Sequence, residues 1–264
     1  MSQEPKQYKV LISTDPGKVR ALNEDNFVLN KTVRRAESPF QHVRARSLRE
    51  PLLCGVFDGM GGEKGGREAS EIAARIAVEY YLFLSKSRVD PSGSIGDFVS
   101  NCNSQIKGYL TKHRLNRGGS TFAMAYFHDG AVNLFSMGDS RIYLFRRGSL
   151  MRISRDHTLA QKKFEARLFT LEESETSPER HMLTRFLGMD EDSDEFCAEA
   201  YRTLVLEPGD KLLICSDGLY DMCTEREIAD ILAVPDQPYT IQLINRALAN
   251  GGEDNVTCMV IELV

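Results

Sequence analysis

The 264-residue sequence predicts an α+β layered fold in which helices cover mostly antiparallel sheets. Many short apolar or alternating runs, bounded by Gly, Pro, Asn or Asp, read as strands. Several follow one another too closely for a crossover helix, so they must pair as antiparallel hairpins. Two long segments carry apolar residues at helical spacing and need a sheet face to bury them. No internal repeat is visible, and one hydrophobic core can still serve this length, so residues 1–264 are expected to form a single domain.

The strands are expected at Tyr8–Ser13, Asn26–Leu29, Leu52–Phe57, Thr121–Phe127, Val132–Ser136, Arg141–Phe145, Thr203–Leu206, Lys211–Cys215 and Val256–Glu262. Between Thr121–Phe127 and Val132–Ser136, Asp129-Gly130 fits a type I′ turn. One helix is expected over about Gly66–Leu84, where Ala69, Ile72, Ala73, Ile76 and Tyr80 share a face. A second is expected over about Ser94–Leu110, with shorter ones at Glu225–Leu232 and Tyr239–Ala249. Residues 31–50 hold six Lys or Arg against two Glu and read as an exposed basic loop. Residues from about 165 to 199 are acidic and weakly periodic, which marks a surface flap. Arg146-Arg147-Gly148-Ser149 fits a basophilic kinase consensus but reads better as a hairpin turn.

Composition excludes several classes. With 42% hydrophobic and 27% charged residues the chain is of the soluble globular type, and a net charge of −5 argues against a general nucleic-acid binder. No apolar run approaches the roughly 18 residues of a membrane-spanning helix. The N-terminus, MSQEPKQYK, lacks an apolar signal core. Six scattered cysteines without a C-x-x-C pair suit a reduced, cytoplasmic protein with neither disulfides nor a thiolate zinc site.

The chemistry begins at Leu52-Leu53-Cys54-Gly55-Val56-Phe57-Asp58, after which five of the next eight residues are glycine. Asp129-Gly130 is a turn and needs nothing more, but after Asp58-Gly59 the chain enters a helix instead of returning as a strand. Asp217 follows a second apolar run, Asp139 follows a third, and Asp254 precedes the last strand. Each alone is a turn former or cap. Together, at strand ends beside glycines, they describe an all-oxygen site for a hard cation such as Mg²⁺ or Mn²⁺. The five histidines form no zinc pattern, and neither a G-x-S-x-G elbow nor a Walker A loop occurs.

These segments resemble the ordered motifs of the metal-dependent protein phosphatase family, the type 2C serine/threonine phosphatases, in their bacterial form. Arg20-Ala-Leu-Asn23-Glu24-Asp25 resembles R-x-x-N-E-D, and Asp58-Gly-Met-Gly-Gly62 resembles D-G-M-G-G. Gly138-Asp-Ser-Arg141, Asp156-His157, Leu183-Thr-Arg-Phe-Leu-Gly188, Ser216-Asp-Gly-Leu219 and Asp254-Asn-Val-Thr257 complete seven matches in family order.

The resemblance implies two antiparallel sheets packed as a sandwich with helices on both outer faces. It also implies that a hydroxide bridging two Mn²⁺ or Mg²⁺ ions attacks phosphoserine and phosphothreonine in proteins directly, without a covalent enzyme intermediate. Asp58 would bridge the ions, with the Gly59 carbonyl on one and Asp217 and Asp254 on the other. Arg20 would clamp the phosphate in bidentate fashion. Glu24 and Asp25 would orient waters around the ions, and Asp139, with Asp221, resembles the ligands of a third, weaker cation. Eukaryotic members carry a histidine where Met60 stands, so a metal-bound water is expected to protonate the leaving alkoxide, with His157 in a structural role.

Phosphorylated proteins, a serine/threonine kinase and its substrates are the expected partners; nucleic acid and membrane are not. A monomer is the default expectation. Two other readings keep much of this pattern: a catalytically silent module that binds phosphoproteins, and a phosphohydrolase for small metabolites. The first would have lost a metal carboxylate, and Asp58, Asp217 and Asp254 are all present.

Overall fold

The computed structural model describes residues 6–264 apart from 36, 37, 39, 63, 88 and 193–195, and the side chains of 46 and 47 are likewise outside the description. In chain order the first strands are β1 (Gln7–Asp15), β2 (Asn26–Leu29), β3 (Thr32–Val33), β4 (Gln41–Arg49), β5 (Leu52–Phe57) and β6 (Gly59–Met60). The helices α1 (Gly65–Lys86) and α2 (Pro91–His113) follow. Next come β7 (Gly119–Ser120), β8 (Phe122–His128), β9 (Ala131–Met137), β10 (Arg141–Arg146) and β11 (Ser149–Arg152). The flap contributes α3 (Leu159–Glu165), α4 (Leu171–Thr176) and a 3₁₀ turn at Pro178–His181. The chain closes with β12 (Glu199–Ala200), β13 (Lys211–Cys215), α5 (Asp217–Tyr220), α6 (Glu225–Ala233), α7 (Tyr239–Ala249) and β14 (Val256–Leu263).

Two six-stranded sheets form, in the orders β11-β10-β13-β14-β1-β4 and β12-β9-β8-β5-β2-β3, and every pairing is antiparallel. Period-two alternation sorts their side chains into three cores. Ile12, Ile142, Ile214 and Met259 meet Phe27, Val56 and Phe127 between the sheets. Val28, Leu53, Met124 and Phe135 face the other way, onto Ala73, Ile76, Phe98 and Ile106 of α1 and α2. Leu11, Tyr143, Leu213 and Val260 face Ile228, Leu243 and Ile244 of α6 and α7. Three cores separate four layers, so the α-β-β-α sandwich is present.

Local chemistry sets the element ends. Asp90 caps α2 by accepting from the Gly93 N–H, and Pro91 opens the helix. In the β8–β9 turn Asp129 and Gly130 have φ of 49° and 76°, as a type I′ turn requires. Arg147 and Gly148, at 52° and 82°, turn β10 into β11, so the kinase-like tetrapeptide is a hairpin.

Three segments differ from the sequence-based reading. Residues 41–49 form the strand β4 in place of a loop, pairing with β1 on both sides of a bulge between Ala45 and Leu48, and Arg34 is buried where its guanidinium donates to the carbonyls of Asp25, Asn23 and Ser38. Charge density hid a strand whose alternate side chains reach the core. Thr203–Leu206 forms only a single bridge, Val132 to Leu204. The flap has short helices, each too brief to leave a periodic signal; α4 starts with a capping box from Thr170 and Glu173.

Candidate active site

Antiparallel register gathers six strand ends at one end of the sandwich. Asp15 at the end of β1 pairs with Val256 at the start of β14, and Cys215 at the end of β13 pairs with Arg141 at the start of β10. β5 and β9 of the other sheet end at the same side. Asp254, Asp217, Asp139 and Asp58, which flank these ends, therefore converge. They line one cleft of about 900 Å³, together with Arg20, Glu24, Gly59 and Asp221.

Motif asparagines and serines build this cleft. Asn255 Nδ2 donates to the carbonyls of Pro16 and Leu22 at 2.9 and 2.8 Å, while its Oδ1 accepts from the Glu24 N–H at 2.7 Å. Asn23 Nδ2 donates to Thr14 Oγ1 at 2.8 Å, and Lys18 N–H to the Gly252 carbonyl at 2.7 Å. The Arg20 loop is thus tied to the segment carrying Asp254. Thr121 joins the other two aspartates: its N–H donates to the Asp58 carbonyl at 2.8 Å, and its Oγ1 lies 2.6 Å from Ser140 Oγ, next to Asp139.

The glycines after Asp58 have a packing reason. A Cβ on Gly59 would sit 2.6 Å from the Glu24 carbonyl oxygen and closer still to that of Gly66. A Cβ on Gly66 would meet the Gly59 carbonyl carbon at 2.8 Å, and one on Gly61 would meet Gly118 Cα at 2.8 Å. The first turn of α1 therefore lies backbone to backbone against β6. Gly62 has open space but φ of 80°, which favours glycine for its dihedral alone.

Carboxylates crowd the cleft. Burial, then Asp25, Asp217, Asp139 and Asp254, push the Asp58 carboxyl well above the usual carboxylate range. Burial, then Asp139, Asp254 and Asp221, do the same to Asp217. Asp139 is pushed up to about 7 by burial and Asp156. Asp25, fully buried behind the cleft wall, is pushed up to about 6 by burial despite the bond it accepts from Ser216 Oγ. Cationic contacts to this group come from Arg20, whose Nη2 donates to Asp254 Oδ2 at 2.6 Å, and Arg180, whose Nη1 donates to Asp221. An all-oxygen set that repels itself in this way fits hard divalent cations, which neutralise it.

The sequence-predicted residues Arg20, Glu24, Asp58, Gly59, Asp139, Asp217 and Asp254 are brought to one cleft, whereas Asp25 lies beneath it. His157 stands apart. Its Nδ1 accepts from the Gly138 N–H at 3.0 Å, which leaves Nε2–H to donate to Glu199 Oε2 at 2.9 Å, and burial lowers its pKa. Arg141 makes a forked pair with Asp156 and stacks on Tyr220, 3.5 Å from the ring centre, while Tyr220 OH donates to the Asp139 carbonyl.

Two flap residues escaped the sequence reading. Arg180 and His181 line the cleft, and His181 offers a ring nitrogen within 4.8 Å of carboxylate oxygens of Asp217 and Asp221. Their adjacency to Pro178 within the acidic flap was a faint signal; what aims them inward is the docking of the 3₁₀ turn on α3 and α4.

The layered sandwich thus presents an acidic cleft with the donor chemistry of a hard-cation site. The protein phosphatase 2C family model matches residues 36–257, so the chain belongs to that family of serine/threonine phosphatases. Serine/threonine phosphatase stp of Listeria welshimeri is 29% identical over 94% of this chain and 93% of its own length. PstP of Mycobacterium tuberculosis is 31% identical over 95% of this chain, which spans 44% of that longer protein. The crystal structure of PstP/Ppp from M. tuberculosis superposes with a TM-score of 0.76 at 28% identity, over 97% of this chain and 99% of the other. A structure of the PstP catalytic domain with two manganese ions gives 0.75 at 27% identity, over 98% and 99%.

Proposed function

We propose that this chain hydrolyses phosphoserine and phosphothreonine side chains of other proteins with the help of Mn²⁺ or Mg²⁺, two ions in the core site and a third more weakly held. The observation that carries this reading is the convergence of Asp58, Asp139, Asp217 and Asp254 with Arg20 in one open cleft. Asp58 and the Gly59 carbonyl would hold one ion, and Asp58, Asp217 and Asp254 the other. Asp139 and Asp221, with His181 and Asp217 beside them, would hold the third. When bound, such ions neutralise phosphate charge and lower the pKa of water to near neutral.

The chain's own residues orient and bind. Arg20 presents a planar fork to two phosphate oxygens, as a lysine could not. Asn255 and Asn23 fix the loop that aims it. Glu24 lies at the cleft wall, where it orients solvent, and Asp25 holds Ser216 from behind. Phosphoproteins, among them a serine/threonine kinase and its substrates in the cytoplasm, are the partners this reading implies.

Hydrolysis of an aryl phosphate and a phosphothreonine peptide by wild type and Asp58→Asn, with Mn²⁺ and with EDTA, tests it. Activity that needs metal and is lost in the variant is the expected result. Inactivity of a folded, metal-loaded wild type overturns the enzyme and leaves a phosphoprotein-binding module. A strong preference for small phosphate esters over the peptide assigns the site to metabolites.

A further inference from the structure

The first sheet ends on β4, and among the described residues no strand pairs with its far side. The other sheet edges are short: β11 has four residues, β12 two and β3 two, whereas β4 has nine. Shortness is a common way to blunt an edge against pairing. β4 instead keeps a long edge, interrupted by one bulge between Ala45 and Leu48 that leaves Arg44 and Arg49 on the same face.

Its two faces differ in kind. His42, Arg44 and Arg49 stand opposite Ser13, Leu11 and Gln7 of β1 and are exposed. Leu11 belongs to the core under α6 and α7, and Ser13 Oγ donates to Thr240 of α7, so these three side chains lie on the outer face. α7 covers β1 and β14 but leaves a groove of about 130 Å³ beside β4, walled by His42, Arg44, Pro238 and Ile241. Neither Arg44 nor Arg49 forms an ion pair among the described residues. On the opposite face Val43, Ala45 and Leu48 are half-buried against the central core. The edge therefore offers cationic charge above, apolar surface below, and unpaired backbone between.

We propose that the free edge of β4 docks an extended segment of another protein in which acidic and apolar residues alternate. The acidic side chains face Arg44 and Arg49, and the apolar ones extend the central core beside Val43 and Ala45. Backbone hydrogen bonds along the edge supply affinity, and the alternation supplies specificity. A second copy of this chain is disfavoured as the occupant, because β4 paired with itself would set arginines beside arginines on one face. Gln41 pairs with Thr14, so the edge begins at the same end of the sheet as the cleft.

The test is fluorescence anisotropy of a labelled peptide that alternates Glu and Val, against the full chain loaded with Mn²⁺. Binding to wild type is expected, weakening with added salt. The double variant R44E/R49E is expected to bind about tenfold more weakly or worse. R44Q/R49Q should fall in between, and both should keep wild-type hydrolysis of an aryl phosphate, since these arginines lie outside the cleft. Hydrogen exchange should slow across residues 41–49 when the peptide is present. No binding, equal binding by R44E/R49E, or equal binding of a peptide with its glutamates in one block would overturn the proposal. A sedimentation dimer that changes with R44E/R49E would assign the edge to a second copy and overturn it too.

Discussion

Arg20 and Asp254 are bonded to each other, with the guanidinium Nη2 2.6 Å from the carboxylate Oδ2 and side chains 56% and 38% exposed. An exposed pair of this kind contributes little stability, so a phosphate or a cation can part it. Both partners of the pair have work assigned elsewhere in the cleft. Arg20→Ala is expected to lower kcat/KM for a phosphothreonine peptide by about 10²–10³, and Arg20→Lys to recover little of it. The same Arg20→Ala change removes a cation that competes at Asp254, so calorimetry should read equal or tighter Mn²⁺ binding. Unchanged kcat/KM would exclude Arg20 as the phosphate clamp.

The crowded carboxylates tie stability to pH and to metal. The folded pKa values of Asp58, Asp217, Asp25 and Asp139 lie above the unfolded value of about 4, with Asp25 at about 6 and Asp139 at about 7. The folded state then binds more protons than the unfolded one between those limits. This contribution is fully present below about pH 4 and is lost as pH rises through 6 to 7. In EDTA, Asp58→Asn should therefore melt higher than wild type at pH 8, where it removes a repelling charge, with little difference at pH 5. Mn²⁺ should raise the wild-type Tm more at pH 8 than at pH 5, since bound cations require ionised ligands. Thermal melts across this range decide it; a pH-independent Mn²⁺ shift would mean that the four aspartates do not act as one group.

The two histidines should separate cleanly. His157 is buried and bonded at both ring nitrogens, so His157→Ala should lower stability by about 2 kcal/mol and leave the shape of the kcat pH profile intact. His181 is half exposed beside Asp221, so His181→Ala should leave Tm in place and raise the Mn²⁺ concentration for half-maximal activity by about tenfold. The reverse pattern would exchange their roles.

Gly59→Ala tests the close approach of α1 to β6. The added methyl would press on two carbonyl oxygens, neither of which is a movable side chain, so a loss of about 1–3 kcal/mol is expected by chemical denaturation. Gly62→Ala meets no atoms, and its cost should come from the left-handed backbone alone.

Much of this was legible in the sequence because it is local. β13 could be read from four consecutive apolar residues bounded by Lys211 and Ser216, and the β8–β9 turn from Asp129-Gly130, because such signals arise within a few residues. α1 could be read from its spacing, and the convergence of Asp58, Asp139, Asp217 and Asp254 from their shared position at strand ends. Tertiary structure decided the rest. β4 was hidden because Arg44 and Arg49 face outward while a bulge between Ala45 and Leu48 breaks the period-two pattern, and only pairing with β1 reveals the inward face. The glycines after Asp58 marked the site in sequence without a packing reason; Gly59, Gly61 and Gly66 are required by backbone packed on backbone from distant segments. His181 and Arg180 carry no spacing that points to the cleft; they reach it because short flap helices fold the chain back over Asp221. Sequence by itself determined which groups have the right chemistry, since that depends on side-chain type. Only the fold decided which further groups join them, since that depends on contacts between residues far apart in the chain.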